Sequence, residues 1–158
     1  MRDSDDSAPI PRLGDIGLSN YAPYLMNRIM GRYNASIRDE VAALGLTTPK
    51  MRALAVLSIM DGLSISQLAV YAIVEQSTLS RALDALQADG LIRRDTDAED
   101  NRATRVAITP AGRTAFDTLW PHMAVTYARM FKGIPEAERL AFVATLQKVH
   151  GNIRKHDF

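Results

Sequence analysis

Cysteine is absent from the 158-residue chain. This absence excludes disulfide bonds, cysteine-ligated zinc and redox sensing by a thiol, and it is typical of a reducing compartment. Histidine is scarce as well. His122, His150 and His156 are scattered along the chain, and none stands at the spacing of a metal-ligand cluster. We therefore expect no metal site and no cofactor.

Long apolar runs are also absent. No stretch approaches the roughly 18 residues of a membrane span, and the N-terminus lacks the hydrophobic core of a secretion signal. We therefore expect a cytoplasmic protein without membrane contact. The sequence also has no glycine-rich phosphate loop and no nucleophile motif, so we expect no catalytic residues and no enzymatic activity.

Neither sign of charge is in clear excess. The net charge is +1, and residues 47–113 contain eight basic and eight acidic side chains. DNA-binding domains often carry a basic excess, which is missing here. DNA binding by this chain would therefore depend on where individual arginines lie and on two copies adding their fields in a dimer.

Helical patterns occupy both ends of the chain. In residues 19–43 apolar side chains recur at a spacing near four, which predicts a long helix that ends at Gly45. Residues 1–17 are polar and contain two prolines, which predicts a flexible N-terminal segment.

The C-terminal part predicts two more helices. Residues 110–131 form the first, and Pro121 inside it predicts a kink or a break. Residues 135–154 form the second. Its apolar side is expected to be buried and contains Leu140, Val143, Ala144, Leu146, Gln147 and Ile153.

The middle of the chain begins with two helix-start signals. Thr47, followed by a proline in the first turn, predicts a helix with a capping hydroxyl that runs to Asp61. Ser64 and Gln67 match a capping box, which predicts a short helix to about residue 71.

A tight turn, a second helix and a hairpin follow. The helix is predicted over 75–89, and two strands over 91–96 and 103–109 are joined by a polar loop. A helix, a turn, a helix and a hairpin in this order form a winged helix-turn-helix, which nearly always binds duplex DNA. We therefore predict a mainly α fold with a small β-hairpin wing, whose DNA-binding lobe spans residues 47–109.

The helix after the turn has an apolar face and a polar face. Leu79, Ala82, Leu83 and Leu86 follow the i, i+3, i+4, i+7 spacing of a core-facing stripe. The polar side suits a helix in a major groove, because hydroxyls bond phosphates or base edges and arginine can bond guanine through two atoms. A plain solvated face has similar residues, so the neighbouring helix and hairpin decide between the two. The polar side carries Ser77, Thr78, Ser80, Arg81 and Asp84.

The hairpin loop offers a second contact with DNA. Asn101 and Arg102 lie at its distal end, where arginine suits a narrow minor groove that concentrates negative potential. Phosphates would repel Asp100, so we interpret it as a structural residue that bonds loop amides or an arginine. The alternative is a solvated acidic turn, because four of the six residues 95–100 are acidic.

The sequence resembles the MarR family of bacterial transcription regulators over roughly residues 18–153. The resemblance is carried by a wing signature, a following Thr-Pro-x-Gly run and a recognition helix. These are Asp100-Asn101-Arg102, Val106-Ala107-Ile108-Thr109-Pro110-Ala111-Gly112 and Ser77-Thr78-Leu79-Ser80-Arg81. Leu68-Ala69 in the first motif helix and Leu86, Gly90, Leu91, Ile92 and Arg94 before the wing also match. Asn101 departs from the pattern, since a basic residue is frequent there.

The resemblance implies a homodimer whose platform is formed by residues 18–46 and 110–155. It also implies binding to a pseudo-palindromic operator, usually as a repressor. In many members a small aromatic or phenolic molecule binds between platform and lobe and releases the DNA. The residues expected to contact DNA are Gln76, Ser77, Thr78, Ser80, Arg81, Asp84, Arg94, Asn101, Arg102 and Thr104.

Two further hypotheses remain open at this point. Tyr24 and Arg28 lie on or beside the apolar stripe of the first long helix, where they could hold a carboxylate effector, although an arginine at a dimer interface or in solvent is the simpler interpretation. A winged helix can also serve as a protein–protein interaction module without DNA binding. The neutral charge of the lobe makes this the main alternative function.

Overall fold

Seven α-helices and one three-stranded sheet form the part of the chain that this computed structural model describes, residues 9–158. The helices are α1 (Leu13–Ile16), α2 (Ala22–Ala43), α3 (Thr48–Leu57), α4 (Ile65–Ala72), α5 (Gln76–Ala88), α6 (Pro110–Met130) and α7 (Glu136–Ile153). The strands are β1 (Leu63–Ser64), β2 (Ile92–Thr96) and β3 (Thr104–Ile108), which pair antiparallel in the order β1-β3-β2.

The elements fall into two groups. Helices α3 to α5 and the sheet form the lobe, whose apolar core also includes Ile37 and Val41 of α2 and Phe116 and Leu119 of α6. Helices α2, α6 and α7 form the platform, in which α2 packs against α6. The four residues of α5 that were predicted to face the core are all buried, and the predicted winged helix-turn-helix is confirmed. Each fully buried leucine of this core stabilises the fold by about 1.5–3 kcal/mol.

Local capping signals were largely correct. The Ser64 hydroxyl accepts a bond from the Gln67 amide at 3.2 Å, and the Gln67 side chain accepts one from the Ser64 amide at 3.1 Å, so the capping box is confirmed. The Thr109 hydroxyl likewise caps α6. Thr47 was predicted to cap α3, but its side chain makes no capping bond. Pro49 occupies the second helical position, and its backbone nitrogen has no hydrogen to donate to the Thr47 hydroxyl.

Several element boundaries differ from the predictions. Helix α3 ends at Leu57, earlier than expected, and the Ser58 hydroxyl bonds the Ala55 carbonyl at 2.7 Å in competition with the backbone. Helix α6 is continuous through Pro121, so no break occurs there. The proline removes a single backbone bond, and the buried Leu119 holds this part of α6 against the core.

The N-terminal part is more regular than predicted over the residues described. Residues 13–16 form one helical turn, and a 3₁₀ turn at Leu18–Asn20 precedes α2, which starts later than the periodicity indicated. Residues 1–8 of the expected flexible segment lie outside the described residues.

The sheet contains a strand that the sequence did not indicate. β1 has only two residues, too few for a period-two pattern, and it pairs with β3 through Leu63 and Val106. β3 is therefore the central strand, and α3, α4 and α6 all contact it. For this reason Ala107 on β3 is buried.

Helix α7 buries none of its residues within one protomer. The prediction that Leu140, Val143, Ala144, Leu146, Gln147 and Ile153 lie on a buried side is therefore wrong for the isolated protomer. Leu140 is 55% exposed and Ile153 is 74% exposed. The periodicity correctly identified an apolar helix but did not say which surface covers it.

The turn between α4 and α5 contains a strained residue. Ile73 has φ 55 and ψ 50, the left-handed conformation, and its side chain is 79% exposed. A β-branched residue there costs of order 1–3 kcal/mol, and little apolar burial offsets it. The conformation is held by the surrounding turn, where the Arg52 guanidinium donates to the Ile73 carbonyl at 3.2 Å.

Replacing Ile73 by glycine should raise the free energy of unfolding by about 0.5–1 kcal/mol, because relief of strain exceeds the entropy that glycine adds to the unfolded chain. Urea denaturation measures this change. Ile73→Ala is the matched control, since it removes the same side-chain surface but keeps the penalty on Cβ. Equal stability of both variants would show that the left-handed turn carries no strain.

Candidate nucleic-acid interface

The polar face of α5 points away from the lobe core. Gln76, Ser77, Arg81 and Asp84 are exposed, and Thr78 and Ser80 are partly covered. The buried face holds the helix firmly, so the exposed face is presented by a rigid element rather than by a loop. This is the geometry that a helix needs to enter a major groove.

Three arginines of the lobe are engaged with carboxylates. Arg93 pairs with Asp95 at 2.8 Å, Arg94 with Asp84 at 2.8 Å, and Arg105 with Asp97 at 2.5 Å. These pairs account for much of the balanced charge found in the sequence. Each pair removes one positive and one negative charge, so the lobe stays balanced, and DNA binding depends on where the unpaired arginines lie.

Arg81 and Arg102 differ from these arginines. Across residues 9–158, no hydrogen bond or ion pair engages either guanidinium. Both side chains are exposed, Arg81 on α5 and Arg102 in the wing. A free guanidinium keeps all of its donors for phosphate oxygens or base edges. The two arginines that the sequence predicted as principal DNA contacts are therefore available for that role.

Arg94 and Asp84 were predicted to contact DNA but bond each other. The pair joins β2 to α5, with Arg94 24% and Asp84 69% exposed. The Nε atom of Arg94 is buried and has no partner among the described residues. Arg94 and Asp84 would have to break this pair to use all of their hydrogen-bonding groups on DNA. The geometry therefore favours a structural role, in which the pair joins the wing to α5. Their role in DNA binding stays a prediction.

The wing loop is held by two aspartates. The Asp97 carboxylate accepts bonds from the amides of Glu99 at 2.8 Å and Asp100 at 3.4 Å, and it pairs with Arg105. The Glu99 amide bond, followed by the Arg105 bond, holds the pKa of Asp97 below its usual range. The sequence patterns did not indicate these roles of Asp97 and Arg105, although an aspartate at the start of a loop is a recognised turn signal.

The tip of the wing carries the remaining predicted residues. The Asp100 carboxylate accepts a bond from the Arg102 amide at 3.0 Å, a loop bond of the kind expected for it. Asn101, Arg102 and Thr104 are exposed. The loop is thus ordered by its own acidic residues, and Arg102 projects from a defined position.

A large cavity lies in the platform, away from α5. It measures about 1270 Å³ and is bounded by side chains of α2, α6 and α7, including Tyr24, Arg28, Arg32, Arg129 and Phe142. The Arg28 guanidinium donates to the Tyr24 hydroxyl at 2.8 Å and lies 5.7 Å from the centre of its ring. Both residues of the predicted effector site therefore line this cavity, and their role stays a prediction.

Neither a cluster of metal ligands nor a membrane-spanning helix occurs within residues 9–158. Within residues 9–158, no three side chains of His, Asp or Glu come together as metal ligands. None of the helices in the same range combines the length and apolar character that a membrane span needs.

The chain is similar to known transcription regulators. The model of the MarR family matches residues 44–103. A MarR-family regulator from Silicibacter pomeroyi is 61% identical, with a TM-score of 0.90, over 94% of this chain and 100% of that one. The HTH-type transcriptional repressor IacR of Pseudomonas putida is 28% identical over 82% of this chain and 78% of IacR. BpsR of Bordetella bronchiseptica, solved to explain how 6-hydroxynicotinic acid regulates its DNA binding, is 25% identical with a TM-score of 0.72 over 84% of this chain and 95% of BpsR.

The fold and these relatives define the class of protein as winged helix-turn-helix transcription regulators. Within this class, the chain belongs to the MarR family, as the resemblance predicted.

Proposed function

We propose that this protein is a cytoplasmic, homodimeric repressor that binds a pseudo-palindromic DNA operator. The observation that carries the proposal is the exposed face of α5 together with the free guanidinium groups of Arg81 and Arg102. Each protomer would insert α5 into a major groove and the wing tip into the adjoining minor groove. Two-fold symmetry would then place the half-sites about one helical turn apart. The name of IacR as a repressor supports the direction of control.

The apolar surface of the platform supports the dimer. Phe142, Val149 and Ile153 of α7 are 44%, 40% and 74% exposed and lie on one face of the helix. The platform cavity adds an apolar groove beside this face. A second copy of the chain is the occupant that would cover both surfaces.

The dimer is tested by charges placed on this face. The double variant Val149→Glu, Ile153→Glu should be monomeric in light scattering at concentrations where the wild type is dimeric, because burying a charge without a partner is costly. Both side chains are exposed in the protomer, so its circular dichroism should not change. Gln147→Glu is the control, because the exposed Gln147 lies on the opposite side of α7 at about 100° per residue, and this variant should remain dimeric. A dimeric double variant would place the interface elsewhere.

DNA binding is tested by selection from sheared genomic DNA at about 0.15 M salt, where non-specific binding is weak. The wild-type protein should enrich fragments that share an inverted repeat. Selection should be repeated with protein that has been unfolded and refolded, to remove any bound ligand. If neither preparation enriches a sequence, the proposal fails and the protein–protein interaction module becomes the better interpretation.

An aromatic or phenolic acid is the proposed releasing ligand. The regulation of BpsR by 6-hydroxynicotinic acid is one precedent in a relative. In this chain Arg28 offers a guanidinium and Tyr24 a hydroxyl and a ring at the platform cavity, groups that suit a carboxylate on an aromatic ring. A partner's helices would narrow the cavity of about 1270 Å³ towards the range of about 300–1,000 Å³ that small ligands fill.

A further inference from the structure

Glu75 stands at the exposed tip of α5, immediately before its first helical residue. Its backbone is extended, with φ −59 and ψ 139, and its side chain makes no capping bond to the helix amides. One carboxylate oxygen, Oε1, instead accepts a bond from the hydroxyl of Ser77 at 3.1 Å. The usual local reason for an acidic residue at this position, capping of the first turn, is therefore absent.

The charge of Glu75 also lacks an ion-pair partner in the described part of the chain. Several other acidic groups of the lobe are bonded internally, as in the pairs of Asp84 with Arg94 and Asp97 with Arg105. Glu75 has no cation within ion-pair distance among residues 9–158. The free carboxylate thus lies at the end of the helix that would approach a polyanion, where it opposes binding to phosphates.

A carboxylate at a DNA interface is favourable where it meets a donor, and the cytosine N4 amino group in the major groove is such a donor. The N-terminal residues of a recognition helix are those that reach base edges. We infer that Glu75 is a specificity-determining residue that accepts a hydrogen bond from cytosine N4, with Ser77 orienting its carboxylate. The inference rests on the proposed function, because it requires α5 to enter the major groove.

The inference predicts a change of base rather than a simple loss of affinity. Glu75→Gln replaces the carboxylate acceptor by an amide, which can bond both N6 and N7 of adenine. The preferred base at one position of each half-site should therefore change from cytosine to adenine. Glu75→Ala should lose the preference there, by about 5- to 150-fold per half-site. Both variants should bind non-specific DNA more tightly than the wild type, because a repelled charge has been removed.

The experiment is selection of randomised duplexes by the full-length wild type, both Glu75 variants and Asp89→Asn. Asp89 follows the last turn of α5, so this control removes one negative charge from the opposite end of the same helix. The control should keep the wild-type base preference at every position. Thermal unfolding of each protein is measured alongside the selection. If Glu75 only interacts favourably with the helix dipole, its variants should change in thermal stability but keep the wild-type base preference.

The outcomes separate the inference from the proposed function. A cytosine-to-adenine change with Glu75→Gln supports base readout. An unchanged motif in both Glu75 variants, with or without lower stability, overturns the inference while the proposed function stands. If the wild type enriches no motif, the proposed function fails and the inference fails with it.

Discussion

The Arg81→Ala, Arg102→Ala double variant should bind the operator on the order of 1000-fold more weakly than the wild type. A base-contacting arginine contributes about 1–3 kcal/mol, and a dimer loses four such side chains, so the lower limit is about 4 kcal/mol. The loss should be large because neither guanidinium is engaged elsewhere in residues 9–158, so each has its full set of donors for DNA. Fluorescence anisotropy with a labelled operator at several salt concentrations measures the effect.

The salt dependence adds a second measure of the same variant. Each phosphate contact that is lost should reduce the slope of log K against log salt by about 0.9. The matched control is Arg38→Ala, Arg93→Ala, which removes the same charge from two other exposed positions. Arg38 lies on α2 and Arg93 is paired with Asp95, so the control should retain most of the affinity. Equal losses in both double variants would show that only total charge matters and would overturn the docking model.

Gly112→Ala should lower the free energy of unfolding by about 3 kcal/mol or more, the cost of severe overpacking. A Cβ atom at Gly112 would lie 2.0 Å from the carbonyl oxygen of Leu91 and 2.9 Å from the Ile108 side chain. The Leu91 oxygen is backbone and is itself bonded to the Thr109 amide at 3.1 Å, so it cannot move independently. Chemical denaturation, or the yield of folded protein if the variant is too unstable, measures the effect.

The control for this prediction is Gly31→Ala. Gly31 lies inside α2 and has no atom within 4 Å of an added Cβ. Alanine there should be neutral or raise stability by about 0.5–1 kcal/mol, as expected for an exposed helical glycine. If Gly112→Ala were as stable as the wild type, the close contact between the first turn of α6 and the start of the hairpin would be wrong.

The Gly112 contact explains a motif that the sequence showed only as a pattern. Thr109 caps α6 by accepting the Gly112 amide, and its hydroxyl donates to the Gly90 carbonyl at 2.6 Å. These bonds bring the first turn of α6 against the residues before β2, where only a glycine fits. Threonine, proline and glycine in this run therefore have distinct roles: cap, first helical residue and close contact.

The order of the elements could be predicted because local signals specify them. The stripe at Leu79, Ala82, Leu83 and Leu86 and the capping box at Ser64 depend on residues within a few positions of each other, and the structure contains both. The same is true of the exposed stripe that includes Arg81. Periodicity and capping chemistry act over one or two helical turns, so the sequence contains them directly.

The partners of the charged side chains were decided by the tertiary structure. Arg94 meets Asp84 only because β2 packs beside α5, and Arg105 meets Asp97 only because the hairpin folds back on itself. The motifs singled out Arg81 and Arg102, but no local pattern indicated which arginines would pair with a carboxylate. Only the folded chain shows that, within residues 9–158, the guanidinium groups of Arg81 and Arg102 bond neither a carboxylate nor a carbonyl, and that Glu75 has no cation within ion-pair distance.

The sequence by itself determined the winged helix-turn-helix, its core face and its family, because these follow from local periodicity and short motifs. The tertiary structure decided which charges are neutralised, why Gly112 is needed, and that α7 has no cover within one protomer. The physical reason is the range of the interactions. Helices and caps form between near neighbours, whereas ion pairs, close contacts and exposed apolar faces depend on segments that meet only after the chain has folded.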